Sequence, residues 1–322
     1  MTRSFSSELA DEMNRFLEFK AALGHSYQRG KFTLRSFDHY VALHSSRRHP
    51  VPLERLLQGW LSRREGRKPV TVANELGVIR QFCLFRRRSN PRAFVPTRSW
   101  APQSTQSQFL PYIFSPAEIQ ALLKATAGIR GPALRGLTIR TLLLILYCTG
   151  LRFGEAVRLH LRDVDLDENL FVVRESKGKT RFVPFGEDLH RELLVYLRER
   201  ESVADAVAAP DCAFLVQPDG RPYLVKTASD TVRRLLRRLG LKPARGRIGP
   251  RPYDLRHTFA VHRLTQWYRE GVDIHTRLPF LSAYMGHDNL LGTEVYLRAT
   301  PDLMALTAKR FEDRVQAAGP LS

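Results

Sequence analysis

The sequence predicts a mainly α protein with a small antiparallel β-sheet, divided into a helical N-terminal domain and an α+β C-terminal domain. Three observations carry this expectation. Apolar residues recur at helical spacing from Ser7 to about Asn90, and a stretch rich in Pro, Ser, Thr and Gln follows. Beyond it, helical pattern is broken once, by two β-like segments joined by a turn containing Lys and Gly. A chain of 322 residues is long enough for two hydrophobic cores. We expect a helical domain over 1–92, a linker over 93–114, a second domain over 115–300 and a C-terminal helix and tail over 301–322.

In the first domain Leu9, Met13, Phe16 and Leu17 share one helix face, as do Leu34, Phe37, Tyr40 and Val41. Trp60, Leu76, Ile79 and Phe82 extend the pattern among basic clusters that include Arg63, Arg64, Arg86, Arg87 and Arg88. Such clusters, repeated on one small domain, mark a candidate polyanion-facing surface. Ser115-Pro116-Ala117-Glu118 opens the second domain as a capping box with Pro at the first helical position. The apolar run Thr138 to Tyr147 reads as a buried helix that Gly150 ends, leaving Arg152 just outside the core. Leu170–Arg174 and Arg181–Phe185 form a hairpin, with a third strand expected at Ala213–Gln217. Helical pattern returns over Ala228–Leu239, which carries Arg233 and Arg234, over Asp254–Gly271, and near Tyr296. Thr300-Pro301 caps a last amphipathic helix bearing Leu303, Leu306 and Phe311.

Composition narrows the partners. Lys and Arg total 51 against 32 Asp and Glu, a formal net charge of +19, and Arg exceeds Lys more than fourfold. Guanidinium is the planar, bidentate donor suited to phosphate, so a polyanion is expected. Cys83, Cys148 and Cys212 are odd in number and widely spaced, which argues against a disulfide framework or a zinc motif. The first residues lack the apolar core of a secretory signal, and no window approaches the ~20 apolar residues of a membrane span, so an intracellular protein is expected. Asp163, Asp165 and Asp167 alternate but lack the other ligands of a calcium loop and read as turn residues. Neither a metal site nor a cofactor is expected.

Five segments stand in a telling order: Thr149-Gly150-Leu151-Arg152-Phe153-Gly154-Glu155, Lys177 in the hairpin turn, Tyr253-Asp254-Leu255-Arg256-His257, Met285-Gly286-His287, and Tyr296. In that order and spacing they resemble the tyrosine recombinase (phage integrase) family, whose signature is Arg, Lys, His-x-x-Arg, His or Trp, and Tyr. The resemblance is close across the second domain. In the first it rests on helical character and the segment TVANELGVIRQFCLFRRR. It implies a helical DNA core-binding domain followed by a catalytic domain that cuts and rejoins double-stranded recombination sites through a 3′-phosphotyrosine.

The resemblance makes Tyr296 the nucleophile, puts Arg152 and Arg256 on the scissile phosphate, and gives Lys177 the protonation of the departing 5′ oxygen, with Lys179 as its competitor. It has His287 assist and Glu155 and His257 support the site, while the basic residues Arg63, Arg64, Arg86, Arg87, Arg88, Lys179, Arg233 and Arg234 are the expected DNA contacts. The chemistry is consistent with these residue types. Attack on a phosphodiester concentrates charge on its non-bridging oxygens, which preplaced guanidiniums stabilise without a metal. A free phenol titrates near ~10, so only about one in a thousand is ionised at neutral pH and it needs help. This chain has Tyr253 where the family has the first His. A phenol is no neutral-pH base, so Tyr253 is expected to donate a hydrogen bond to phosphate, leaving deprotonation to His287 or to phosphate oxygens.

The resemblance further implies a homotetramer on two DNA sites, C-terminal helices docking between subunits, sister recombinases or accessory factors as partners, and a cytoplasmic, nucleoid-associated location. The segment LPFLSAYMGHDNLLGTEVYLRATPDLMAL resembles recombinases carried by transposons and plasmids, which points to integration, excision or transposition of a mobile element. The alternatives are a type IB topoisomerase, which shares the Arg, Lys and Tyr chemistry, and a non-catalytic DNA-binding accessory relative, for which the change at Tyr253 speaks.

Overall fold

A computed structural model describes residues 5–46, 48–62, 67–102, 111–176, 179–202, 209–246, 248–287, 293 and 296. The chain forms two compact units, Met1–Phe109 and Leu110–Ser322. The expected helix at 301–322, and with it Lys177, Arg63 and Arg64, lies outside the described residues.

The first unit is built from α1 (Ala10–Ala22), α2 (Gln28–His44), α3 (Leu53–Ser62) and α4 (Pro69–Arg87). Each helix gives one large aromatic to a common core. Phe16, Phe37, Trp60 and Phe82 are fully buried, with Phe16 edge-on to Phe82 at 5.8 Å and Phe37 edge-on to Trp60 at 5.3 Å. Residues 94–101, which composition assigned to the linker, pack on this core through Phe94, Val95 and Trp100. Three apolar anchors among Pro, Ser and Thr are enough to hold that segment down.

The second unit opens with α5 (Pro116–Ala125), whose capping box has Ser115 Oγ accepting from Glu118 N at 3.2 Å and Glu118 accepting from Ser115 N at 2.7 Å. Next, α6 (Ala133–Thr149) is buried along most of its length and central, packed between α8 (Glu187–Glu201) and α10 (Asp254–Arg269). It ends at Gly150, whose φ of 62° reverses the chain into the short α7 (Phe153–Val157).

The hairpin pairs β2 (Leu170–Ser176) with β3 (Lys179–Pro184) antiparallel, with Phe171 opposite Val183 and Val173 opposite Arg181. Its third strand is β1 (Val164–Asp165), beside β2. The strand expected at Ala213–Gln217 makes only isolated bridges, His160 with Ala213 and Val216 with Pro222. Helices have claimed its backbone: Tyr196 Oη donates to Phe214 O and accepts from Val216 N, both at 3.0 Å, and Thr138 Oγ1 donates to Val216 O at 3.0 Å. A short buried apolar run looks the same in sequence whether a sheet or helices cover it. Asp165 accepts from Glu168 N at 2.9 Å as a turn residue does, whereas Asp163 is buried and paired with Arg174 at 2.7 Å. Helices α9 (Val225–Arg238) and α11 (Ile274–Met285) complete the unit, and no described helix is long and apolar enough to cross a membrane.

Gly150 has no room for a side chain, since a Cβ there would lie 2.4 Å from the Phe259 ring of α10. Gly150→Ala should therefore destabilise the protein by more than about 2 kcal/mol, from left-handed strain plus overpacking. Urea denaturation checks this, and an unchanged midpoint rejects it.

Candidate active site

Two helix C-termini build the floor of the site. Both α6 and α11 end in a left-handed glycine, Gly150 at φ 62° and Gly286 at φ 66°, so their last carbonyls have no intrahelical partner. Arg256, in the first turn of α10 and only 1% exposed, fills this need by donating Nη1 to Gly150 O at 2.6 Å and Nη2 to Met285 O at 2.7 Å. Its buried Nε has no protein acceptor among the described residues. Arg152, at the start of α7, donates Nη2 to Gly286 O at 2.5 Å and Nη1 to Glu155 at 2.7 Å. The two arginines expected on one phosphate are thus tied to the same pair of helix ends.

Glu155, expected to support the site, is buried beside Arg152 and engaged by it. Its side chain is 5% exposed, and its carboxylate accepts from the Arg152 backbone N–H at 2.9 Å as well as from the guanidinium. Arg181 of β3 completes the arrangement with Nη2 2.7 Å and Nη1 3.3 Å from the two Glu155 oxygens. Sequence reading missed Arg181. The signal was its alternation with Val183 and Phe185, which puts it on the inward face of β3.

Tyr296 is 3% exposed and lies within this same chain's site, among the α10 and α11 apolar residues Phe259, Leu264 and Met285. Burial pushes its phenol up to about 12, while the Arg256 and Arg152 charges pull it down. Its Oη is 3.2 Å from His257 Nδ1, with ring centroids 5.4 Å apart. His257, expected only to support the site, is in direct contact with the phenol. Burial holds its imidazole down at about 4, so it is neutral at pH 7. His287 stacks on Tyr296 at 6.1 Å, its Nδ1 2.7 Å from Thr293 Oγ1. Tyr253 is 41% exposed and edge-on to His257 at 5.2 Å. His262 stands apart from this group, 3.2 Å from Tyr147 Oη.

The expected DNA contacts differ among themselves. Arg86 pairs with Glu12 at 2.5 Å and covers Phe82, and Arg88 lies 4.9 Å over the Phe19 ring. Arg87 is exposed and donates to Ala93 O at 3.3 Å. On α9, Arg233 pairs with Asp230 at 2.9 Å and Arg234 donates to Thr231 Oγ1 at 2.9 Å. Lys179 opens β3. No cluster of three or more His, Cys, Asp or Glu suited to a metal occurs among the described residues.

Residues 113–302, which contain this whole constellation, match the phage integrase family. A Sinorhizobium fredii protein named as an integrase/recombinase, y4rB, is 32% identical over 315 residues, covering 96% of this chain and 98% of the relative. The tyrosine recombinase XerC of Lacticaseibacillus casei is 29% identical over 236 residues, 71% of this chain and 72% of the relative. Among solved structures, the Tn1549 transposon integrase in complex with a circular intermediate DNA shares the fold, with a TM-score of 0.65 at 17% identity over 95% of this chain and all of that one. The chain belongs to the phage integrase family and is a tyrosine-type site-specific DNA recombinase.

Proposed function

We propose that Tyr296 attacks the scissile phosphate of a double-stranded recombination site, giving a 3′-phosphotyrosine and a free 5′-hydroxyl that then attacks a partner's phosphotyrosine. The observation that carries this reading is the convergence of Arg152, Arg256 and the Tyr296 phenol on the ends of α6 and α11. The Arg256 Nε–H, buried without a protein acceptor among the described residues, is the donor for a non-bridging oxygen, and Arg152 supplies the second guanidinium. In-place donors of this kind stabilise charge as it develops, which is the work metals do in other phosphoryl-transfer sites.

The phenol proton travels toward neutral His257. With Tyr296 at about 12 and His257 at about 4, full transfer before attack is strongly uphill. His257 therefore aligns the phenol by accepting its hydrogen bond, and the proton leaves as the oxygen–phosphorus bond forms and phenol acidity rises. His287 and Tyr253 flank this pair, Tyr253 donating to phosphate from its exposed position. Lys177 protonates the departing 5′ oxygen, with Lys179 its neighbour on the hairpin. The exposed arginines Arg87 and Arg234, with Arg63, Arg64, Arg88 and Arg233, contact the DNA backbone.

Domain roles follow the same reading: 1–92 clasps DNA, 115–300 holds the chemistry, and 301–322 docks on a neighbouring protomer in a tetramer on two sites. The likeness to a transposon integrase supports work on a mobile element, in the cytoplasm where nucleoid DNA lies. No energy-rich cofactor is needed, because the phosphotyrosine conserves the phosphodiester's energy.

Three outcomes test this reading. Incubation with nicked duplexes built from the DNA flanking the gene should trap a covalent protein–DNA adduct that Tyr296→Phe abolishes. An adduct persisting in that variant rejects the nucleophile, and no adduct from the parent favours the accessory DNA-binding alternative. Lys177→Ala should slow cleavage about 100-fold or more, as loss of a general acid does. A 5′-bridging sulfur substrate should restore it, since a thiol titrating near ~8.5 departs without a proton; failure of that rescue removes Lys177 from the role.

The third concerns pH. His257 titrates below the ~6.5 of free imidazole, so the stability tied to its neutral form is intact above ~6.5 and is lost as pH falls toward 4. Thermal melts should show His257→Asn flattening the loss of stability in that window. A His257 ring that titrates near ~6.5 by NMR contradicts this.

A further inference from the structure

We propose that Arg181 is a positioning residue for strand cleavage: by neutralising Glu155 it leaves Arg152 with positive charge to spend on the scissile phosphate. This rests on the reading that Arg152 binds that phosphate. Glu155 presents a chemical problem. Its carboxylate is buried and holds Arg152 in place through both the backbone N–H and the guanidinium. An isolated Arg152–Glu155 pair is electrically neutral as a unit and attracts a phosphate diester weakly. A second guanidinium on the same carboxylate returns the group to one net positive charge.

Arg181 fits that role in placement and geometry. It faces the protein interior from β3, opposite Val173, with its side chain 13% exposed. Its Nη1 and Nη2 reach separate Glu155 oxygens at 3.3 and 2.7 Å, and its Nε donates to Tyr284 O at 3.0 Å. A Cβ on Gly286 would sit 2.9 Å from Arg181 Nη1, so the guanidinium also lies against the backbone whose carbonyl Arg152 uses. One side chain thus bridges three segments: the hairpin that carries Lys177, the helix that begins at Arg152, and the end of α11 before His287. Low dielectric makes each of these pairings stronger than it would be in water.

The test is single-turnover cleavage of the nicked duplexes, with DNA affinity measured separately. Arg181→Met should lower the first-order cleavage rate about 30-fold or more, the scale of loss when a catalytic group is left slightly misplaced. DNA affinity should change less than about threefold, because Arg181 is turned inward and committed to Glu155 and Tyr284 O. Adding Glu155→Gln, which removes the charge Arg181 offsets, should recover about tenfold of that rate, although a second change at a merely structural position would add damage. Arg181→Lys, which keeps the charge, should retain most of the activity. Should Arg181→Met melt below the assay temperature, Arg181→Gln takes its place with the same expectations, since it keeps a donor to Glu155 and drops only the charge.

A parental rate in Arg181→Met, rate and affinity falling together, or no recovery in the double variant each overturns the proposal. Arg152→Ala is assayed beside them. If it cleaves like the parent, the phosphate reading itself falls; if it is inactive while Arg181→Met is unaffected, only the role of Arg181 falls.

Discussion

A guanidinium that is almost wholly removed from water must find its solvation in protein oxygen atoms, and Arg256 imposes that demand on the second unit. Two carbonyls meet it, one from each of two helices that are distant in sequence, Gly150 of the α6 end and Met285 of α11. The cost of burying the charge unpaired is several kcal/mol, so the two helix ends cannot drift apart without exposing it. The interaction is mutually useful. Helix C-termini carry partial negative charge and orphan acceptors, and a cation placed there is favoured. The glycines follow from the same demand, because a left-handed residue turns the chain away and leaves the last carbonyls pointing at the arginine.

The electrostatic character of the site follows from this scaffold. Tyr296, in an apolar pocket beside two guanidiniums, experiences burial and charge in opposition, and burial prevails. Its phenol is thereby moved further from ionisation than an exposed one. Neutral His257 on one side and His287 on the other flank its ring. Glu155 organises the cationic side of the site, its buried carboxylate shared by Arg152 and Arg181. The site offers preplaced guanidinium donors and no strongly basic imidazole at His257.

Much of this was legible in the chain itself. The capping box at Ser115 and the stop at Gly150 are local rules that depend on a few residues and survive any tertiary context. The ordered set Arg152, Arg256, His287 and Tyr296 was readable because spacing along a chain is preserved whatever surrounds it. Other features depended on partners that no local pattern announces. Arg181 sits beside a turn rich in Lys and Gly, where a basic residue reads as solvent-facing, and only the register of β3 reveals that it points inward. His257 was expected only to support the site because its contact, Tyr296, is far along the sequence. The segment at Ala213–Gln217 is apolar enough for a strand, but Tyr196 and Thr138 had already taken its backbone groups.

The arginines of the first unit carry a last consequence. Arg86 is held by Glu12 and Arg67 by Glu75. A cation already neutralised inside its own fold displaces no counterions from a nucleic acid when the two meet. The entropy that salt-sensitive association draws upon is therefore smaller than the total of 51 Lys and Arg suggests, and it is concentrated in the guanidiniums that no carboxylate of the fold holds.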